Sequence, residues 1–227
     1  MKCCQFAGRW SGLLGLIVGI AAWGGMANWP AKATRSPLQD EQVAANAEDE
    51  METITFGAGC FWCTEAVFLQ IRGVERVVSG FSGGRVENPT YKQVMTGTTG
   101  HAEVAQITFN PAVVSVDKLL QVFFTCHDPT TLNRQGADVG TQYRSAIFYH
   151  NDHQRERAEF YKQQLNSSGV FSDQIVTQIE AFTAFYPAED NHQNYFANNP
   201  NQGYCRAVVK PKVDKIKKLF AELLKDE

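Results

Sequence analysis

The order of periodic segments predicts an α+β fold: a ferredoxin-like (split βαβ) two-layer plait with extra helices and a long C-terminal coil. Two observations carry this reading. Between Glu52 and Tyr149 the major segments run β-α-β-β-α-β, the order of a split βαβ unit, an antiparallel sheet with helices on one face. The strand candidates are short and rich in β-branched and aromatic residues, whereas the helix candidates gather apolar residues on one face.

Each element has its own signal. Glu52-Thr53-Ile54-Thr55-Phe56 is β-branched and reads as a strand, and Gly57-Ala58-Gly59 then supplies a tight turn. From Thr64, the residues Glu65, Ala66, Val67, Phe68 and Leu69 read as a helix. Val74–Phe81 is a second strand, ended by Ser82-Gly83-Gly84, and Asn88–Thr96 has room for a short helix. His101–Phe109 alternates, with Ala105, Ile107 and Phe109 on one face of a half-buried strand. Ser115 is a good N-cap for a helix through Val116, Leu119, Leu120 and Phe123, ending near His127-Asp128-Pro129. Tyr143–Tyr149 is the next strand, followed by a helix from about Asp152 to Leu165 that Gly169 stops. Ile175–Phe182 is a candidate fifth strand, and Pro211 opens a last amphipathic helix through Ile216, Leu219, Phe220 and Leu223. The stretches Pro129–Gln142 and Thr183–Tyr204 read as long loops, which in a compact domain are usually functional or disordered.

With 227 residues, 44% hydrophobic and 20% charged, the chain suits one globular domain plus an appendage. Residues 1–33 are the appendage. Lys2 and Arg9 precede the apolar run Leu13–Ala22, and Ala31-Lys32-Ala33 offers a small-x-small cleavage site, the pattern of a secretory signal peptide. Ser11–Trp29 is also long enough to span a bilayer, so an uncleaved membrane anchor is the alternative. Either reading exports the domain, to the periplasm or the extracytoplasmic face. Cys3 and Cys4 precede the apolar run and do not make a lipoprotein signal. Residues 34–51 are polar, acidic and aperiodic and read as a disordered linker, leaving 52–227 as the folded domain. Without residues 1–33 the formal charge goes from −3 to −6, and no basic stripe occurs outside the last helix, so no nucleic-acid partner is expected.

The cysteines Cys60, Cys63, Cys126 and Cys205 of the domain are unevenly spaced, which fits redox chemistry better than a disulfide framework. Gly59-Cys60-Phe61-Trp62-Cys63 is the most informative stretch. It places Cys60 where a strand gives way to a helix, and unpaired N–H groups at a helix N-terminus favour a thiolate, so a lowered pKa is expected. The plainer alternative is a buried structural thiol. Cys126 shares a helix face with Phe123 and reads as a packing residue. Cys60-x-x-Cys63 after a strand also fits a thioredoxin-like disulfide oxidoreductase. A zinc module using Cys60, Cys63, Cys126 and His127 is a further alternative, although adjacent ligands on one helix chelate poorly.

The motifs Gly59-Cys60-Phe61-Trp62, Gly97-Thr98-Thr99-Gly100-His101-Ala102-Glu103, Asn133-Arg134-Gln135-Gly136, Gly140-Thr141-Gln142-Tyr143-Arg144-Ser145, Ala188-Glu189-Asp190-Asn191-His192-Gln193 and Gly203-Tyr204-Cys205 occur in that order. Together they resemble the A-type peptide-methionine sulfoxide reductases over about residues 52–212. The resemblance implies thiol-dependent reduction of methionine S-sulfoxide, free and in proteins, as a repair of oxidised proteins. It makes Cys60 the nucleophile and Glu103 the proton donor, a carboxyl whose pKa a half-buried strand position would raise. Phe61 and Trp62 become the apolar wall for the substrate methyl group, and Tyr91, Asp138 and Tyr143 the polar groups that bind the sulfoxide oxygen and substrate backbone. Cys60 would leave the reaction as a sulfenic acid and then close an intramolecular disulfide that thioredoxin, or a thioredoxin-like protein, reduces. Cys205 holds the position of the family's resolving cysteine, on a glycine-containing segment expected to swing inward. Cys63 stands where many members have glycine and is a rival resolver. A monomer with no cofactor and no metal is expected.

Overall fold

The structure, a computed structural model, describes residues 51–226. The expected signal peptide or anchor and nearly all of the expected linker lie outside the described residues.

The described chain runs β1 (Glu52–Ala58), α1 (Phe61–Phe68), β2 (Val74–Ser82), α2 (Tyr91–Val94), β3 (Ala102–Phe109), α3 (Val116–Cys126), β4 (Arg134–Gln135), β5 (Asp138–Val139) and β6 (Ser145–Tyr149). It continues through α4 (Asp152–Ser168), β7 (Gln178–Ala181), β8 (Phe185–Pro187) and α5 (Tyr195–Asn198) to a π-helical turn (Cys205–Val209) that leads into α6 (Lys210–Leu219). The main sheet has the strand order β7-β6-β1-β3-β2-β8. Its centre, β6-β1-β3-β2, is antiparallel throughout. That is the split βαβ plait: each crossover leaves a gap of one strand, which the other unit fills. Strand β7 pairs parallel with β6 across the α4 crossover, and β8 pairs antiparallel with β2.

The pleat sorts residues by face. Ile54, Phe56 and Ala58 of β1 and Ala105, Ile107 and Phe109 of β3 point into the main core. Phe56 meets Phe68 of α1 at 5.4 Å between ring centroids and Phe123 of α3 at 4.7 Å, so both crossover helices pack on one central ring. The opposite face holds a smaller cluster, Ala102, Val104, Ala146 and Phe148, against which Phe182 and Phe185 pack. Gly80 is required there: a Cβ would lie 2.5 Å from the Phe185 ring and the Tyr186 carbonyl, so only glycine lets β8 close on β2.

Several boundaries differ from the sequence reading. β1 extends through Gly57 and Ala58 because they pair with Ala146 and Ser145 of β6. α1 correspondingly starts at Phe61, not Thr64. Tyr143 lies in a 3₁₀ turn (Thr141–Tyr143) ahead of its strand, and His101 just precedes β3. The loop Pro129–Gln142 contains the β4–β5 hairpin, and Thr183–Tyr204 contains β8, a 3₁₀ turn (Asp190–His192) and α5. The expected C-terminal coil is therefore largely occupied by short elements. Cys205 does not sit on an open glycine segment but in the π-helical turn, fully buried. Pro211 has no N–H for the carbonyl four residues back, and the helix widens to π immediately before it.

Candidate active site

The site begins at the end of β1. Gly59 adopts φ +87°, and a Cβ there would lie 2.6 Å from Gln135 Cβ and Cγ, so glycine alone makes this turn. Cys60 is the N-cap of α1, with φ −56° and ψ 124°. Its carbonyl accepts from Cys63 N at 3.1 Å, which starts the helix and leaves the Cys60 side chain at the positive helix end. The next free donor, Phe61 N–H, is taken by Glu103 Oε2 at 3.0 Å, a carboxyl reaching across from β3. One hydrogen bond thus brings the two groups with reactive chemistry together.

They open on a cavity of about 180 Å³. Its lining includes Cys60, Phe61, Trp62 and Glu103, together with Tyr91 at the start of α2, Asp138 from β5 and Tyr143 from the 3₁₀ turn. Every cavity residue named from the sequence is brought together here. Tyr204 also lines it and was not singled out. Its hydroxyl donates to Asp138 Oδ2 at 2.6 Å, and it favours the charged form of the Cys60 and Cys63 thiols nearby. The Tyr143 hydroxyl donates to Met95 Sδ at 3.4 Å.

Burial sets the protonation states. Glu103 is 1% exposed, and loss of hydration pushes its carboxyl up to about 8, against the opposing pull of the Phe61 N–H; Asp138 and Cys63 push it further up. Glu103 therefore keeps its proton at neutral pH. With Oε2 accepting from Phe61, Oε1 is the oxygen left to carry it. The expected lowering at Cys60 is reversed. Burial raises its thiol well above the ordinary value, and the hydrogen bond and charge of Cys63 and the charge of Glu103 act the same way, so desolvation outweighs the helix N-terminus. The neighbouring Cys60 thiol, aided by the Lys212 ammonium, brings Cys63 down to about 7 in spite of burial. The two thiols titrate as a pair rather than as independent acids. Burial also pushes Tyr91 up to about 12 and raises Tyr143 and Tyr204, keeping the three hydroxyls protonated as donors.

The motif Ala188–Gln193 braces these walls rather than lining the cavity. Glu189 Oε1 accepts from Tyr91 N at 3.0 Å. Gln193 Oε1 accepts from Ser79 N at 3.0 Å while its Nε2 donates to Ser79 O at 2.9 Å, the pairing another strand residue would make. His192 stacks on Tyr91 at 4.3 Å and lies 5.6 Å from the Phe61 ring.

The remaining cysteines separate. Cys205 does not line the cavity, and the charge that acts on it is that of Cys63. Cys126 is a packing residue whose thiol donates to Phe123 O at 3.3 Å and which burial pushes up to about 11. His127 has both ring nitrogens engaged, Nδ1 with Phe123 O and Nε2 with Ser145 Oγ, each at 2.7 Å, and burial takes it down to about 3. Neither nitrogen is free for the zinc arrangement considered from the sequence.

Comparison with known proteins gives a consistent picture. The family profile described as "Peptide methionine sulfoxide reductase" matches residues 52–224. The chain is similar to a peptide methionine sulfoxide reductase MsrA of Natronomonas pharaonis, 54% identical over 170 residues, covering 75% of this chain and 96% of the relative. It is similar to another of Chromobacterium violaceum, 53% identical over 176 residues, 78% of this chain and 100% of the relative. Among solved structures, methionine sulfoxide reductase A of Corynebacterium diphtheriae is 38% identical with a TM-score of 0.62, over 70% of this chain and 79% of that one. Mxr1 from Saccharomyces cerevisiae in reduced form is 35% identical with a TM-score of 0.63, over 69% of this chain and 90% of that one.

Proposed function

The chain belongs to the peptide methionine sulfoxide reductase family, and we propose that it reduces methionine S-sulfoxide, free and in proteins, within the Cys60 cavity. The observation that carries the assignment of roles is the Phe61 N–H bond, which holds a protonated Glu103 beside Cys60. Phe61 and Trp62 receive the methyl group, and Tyr91, Asp138 and Tyr143 receive the sulfoxide oxygen and the substrate backbone.

In the chemical step the Cys60 thiol releases its proton to solvent, and the Cys60 sulfur attacks the sulfoxide sulfur. Glu103 gives its proton to the departing oxygen. The resulting hydroxyl passes to the Cys60 sulfur as the bond between the two sulfurs breaks: the sulfoxide gains two electrons and becomes methionine, and Cys60 becomes a sulfenic acid. A second thiol then displaces water from that sulfenic acid to form a disulfide. Cys205 holds the resolving position implied by the resemblance, but Cys63 stands one helical turn from Cys60 on α1 and acts directly on its thiol, whereas Cys205 sits in the π-helical turn and does not line the cavity. That geometry favours Cys63 as the first partner. Cys205 follows only if the π-helical turn opens. Thioredoxin or a thioredoxin-like dithiol returns the disulfide to thiols by exchange.

Mass spectrometry of the full chain after one turnover without reductant tests this order. The expected product is one methionine per chain and a Cys60–Cys63 disulfide. A Cys60–Cys205 disulfide would restore Cys205 as the first resolver.

We also propose that residues 1–33 export the catalytic domain, from the Lys2 and Arg9 start, the apolar run Leu13–Ala22 and the small-x-small site. Fractionation should place the protein outside the cytosol; full-length cytosolic protein with residues 1–33 intact would contradict export.

A further inference from the structure

Glu65 has no place in the chemistry above, yet it is 1% exposed and binds a segment 129 residues away along the chain. Its two oxygens each take a backbone N–H from a distant segment: Asn194 N donates to Oε1 at 2.9 Å and Tyr195 N to Oε2 at 3.3 Å. Asn194 sits in the left-handed region, φ 50° and ψ 33°, at the N-cap of α5, and its own side chain makes no capping bond. The carboxylate of α1 thus supplies the cap that α5 lacks.

What this turn carries is the Tyr195 ring, stacked flat on Trp62 with 3.7 Å between centroids and 7° between planes. Trp62 lines the cavity, and its buried indole N–H has no partner among the described residues. Trp62 and Glu65 stand three residues apart on α1 and so share a face. The carboxylate fixes the Tyr195 backbone while the Tyr195 ring covers the indole. Only a carboxylate can serve both donors, because an amide would turn its own N–H toward one of them.

We propose that Glu65 is a positioning residue for methionine sulfoxide: its carboxylate latches the Asn194–Tyr195 turn so that Tyr195 backs the Trp62 wall of the cavity. This rests on the assignment of the Cys60 cavity as the sulfoxide site. Glu65 touches no reacting atom, so its effect falls on substrate binding and passes through Tyr195.

The test is a double-mutant cycle in the full chain with methionine sulfoxide as substrate. Glu65→Gln should raise KM on the order of tenfold while kcat changes by about twofold or less. Tyr195→Ala should do the same, and the double variant should be no worse than the poorer single one. Trp62 emission, taken as the difference between each chain and its Trp62→Phe counterpart, should shift to the red in Glu65→Gln. That second readout needs no turnover, so an inactive wild-type chain would refute the sulfoxide assignment and leave the latch to be judged by emission alone. Independent, multiplicative effects on KM, a fall in kcat at unchanged KM, unshifted Trp62 emission, or a Glu65→Gln chain that no longer unfolds cooperatively would each overturn the latch.

Discussion

Cys60→Ser should abolish turnover of both free and peptide-bound methionine sulfoxide while leaving the fold in place. A hydroxyl at the same position is a far weaker nucleophile toward sulfur and has no sulfenic state to enter, so both the attack and the oxygen transfer are lost. The structural cost is small. Cys60 caps α1 through its backbone carbonyl and makes no side-chain cap bond, so serine keeps the helix start. Steady-state rates and thermal unfolding check the two parts. Near-wild-type turnover would remove Cys60 from the mechanism.

Glu103→Gln carries the second-largest expected effect, a loss of 10²–10⁴-fold in rate near neutral pH, the usual worth of a positioned proton transfer. The amide oxygen can still accept from Phe61 N–H, so the variant isolates the proton from the scaffold. The sign of the pH dependence follows from the folded pKa of about 8. The acid form is complete below that value and disappears as pH rises through it, so the wild-type rate should fall on the alkaline side. The loss in the variant should shrink as pH falls, when solvent protons substitute. Stability follows the same linkage: a carboxyl raised from 4.5 to about 8 contributes stability that is whole below pH 4.5 and is lost as pH rises through 8. Glutamine has no such dependence and should flatten the stability of the protein across that range. An unchanged pH–rate profile would exclude Glu103 as the acid.

The plait was legible because its four central strands and two crossover helices each carry a complete period of apolar residues. β4, β5 and β8 were not, since strands of two or three residues contain no period to read and exist through their partners, as β8 does through the space left by Gly80. The cavity was legible from motifs. The place of Tyr204 in the cavity has one signal in the sequence, an aromatic beside a candidate redox thiol in Gly203-Tyr204-Cys205, and its bond to Asp138 comes from a segment 66 residues away. The Cys60 pKa was read with the wrong sign for a physical reason: a helix N-terminus can be inferred from local sequence, whereas burial arises from distant elements folded over the site. The setting of Cys205 escaped for a related reason. Glycine ahead of it suggested an open segment, but Pro211 behind it and the core beneath it make a π-helical turn.

The most direct measurement is the oxidation state of Cys60 after one turnover, in a chain carrying Cys63→Ser and Cys205→Ser so that neither candidate resolver is present. Mass spectrometry with a sulfenic-acid trap should find one added oxygen, located at Cys60, in amount equal to the methionine formed. Methionine produced with Cys60 unmodified, or with the oxygen on another residue, would contradict oxygen transfer to Cys60.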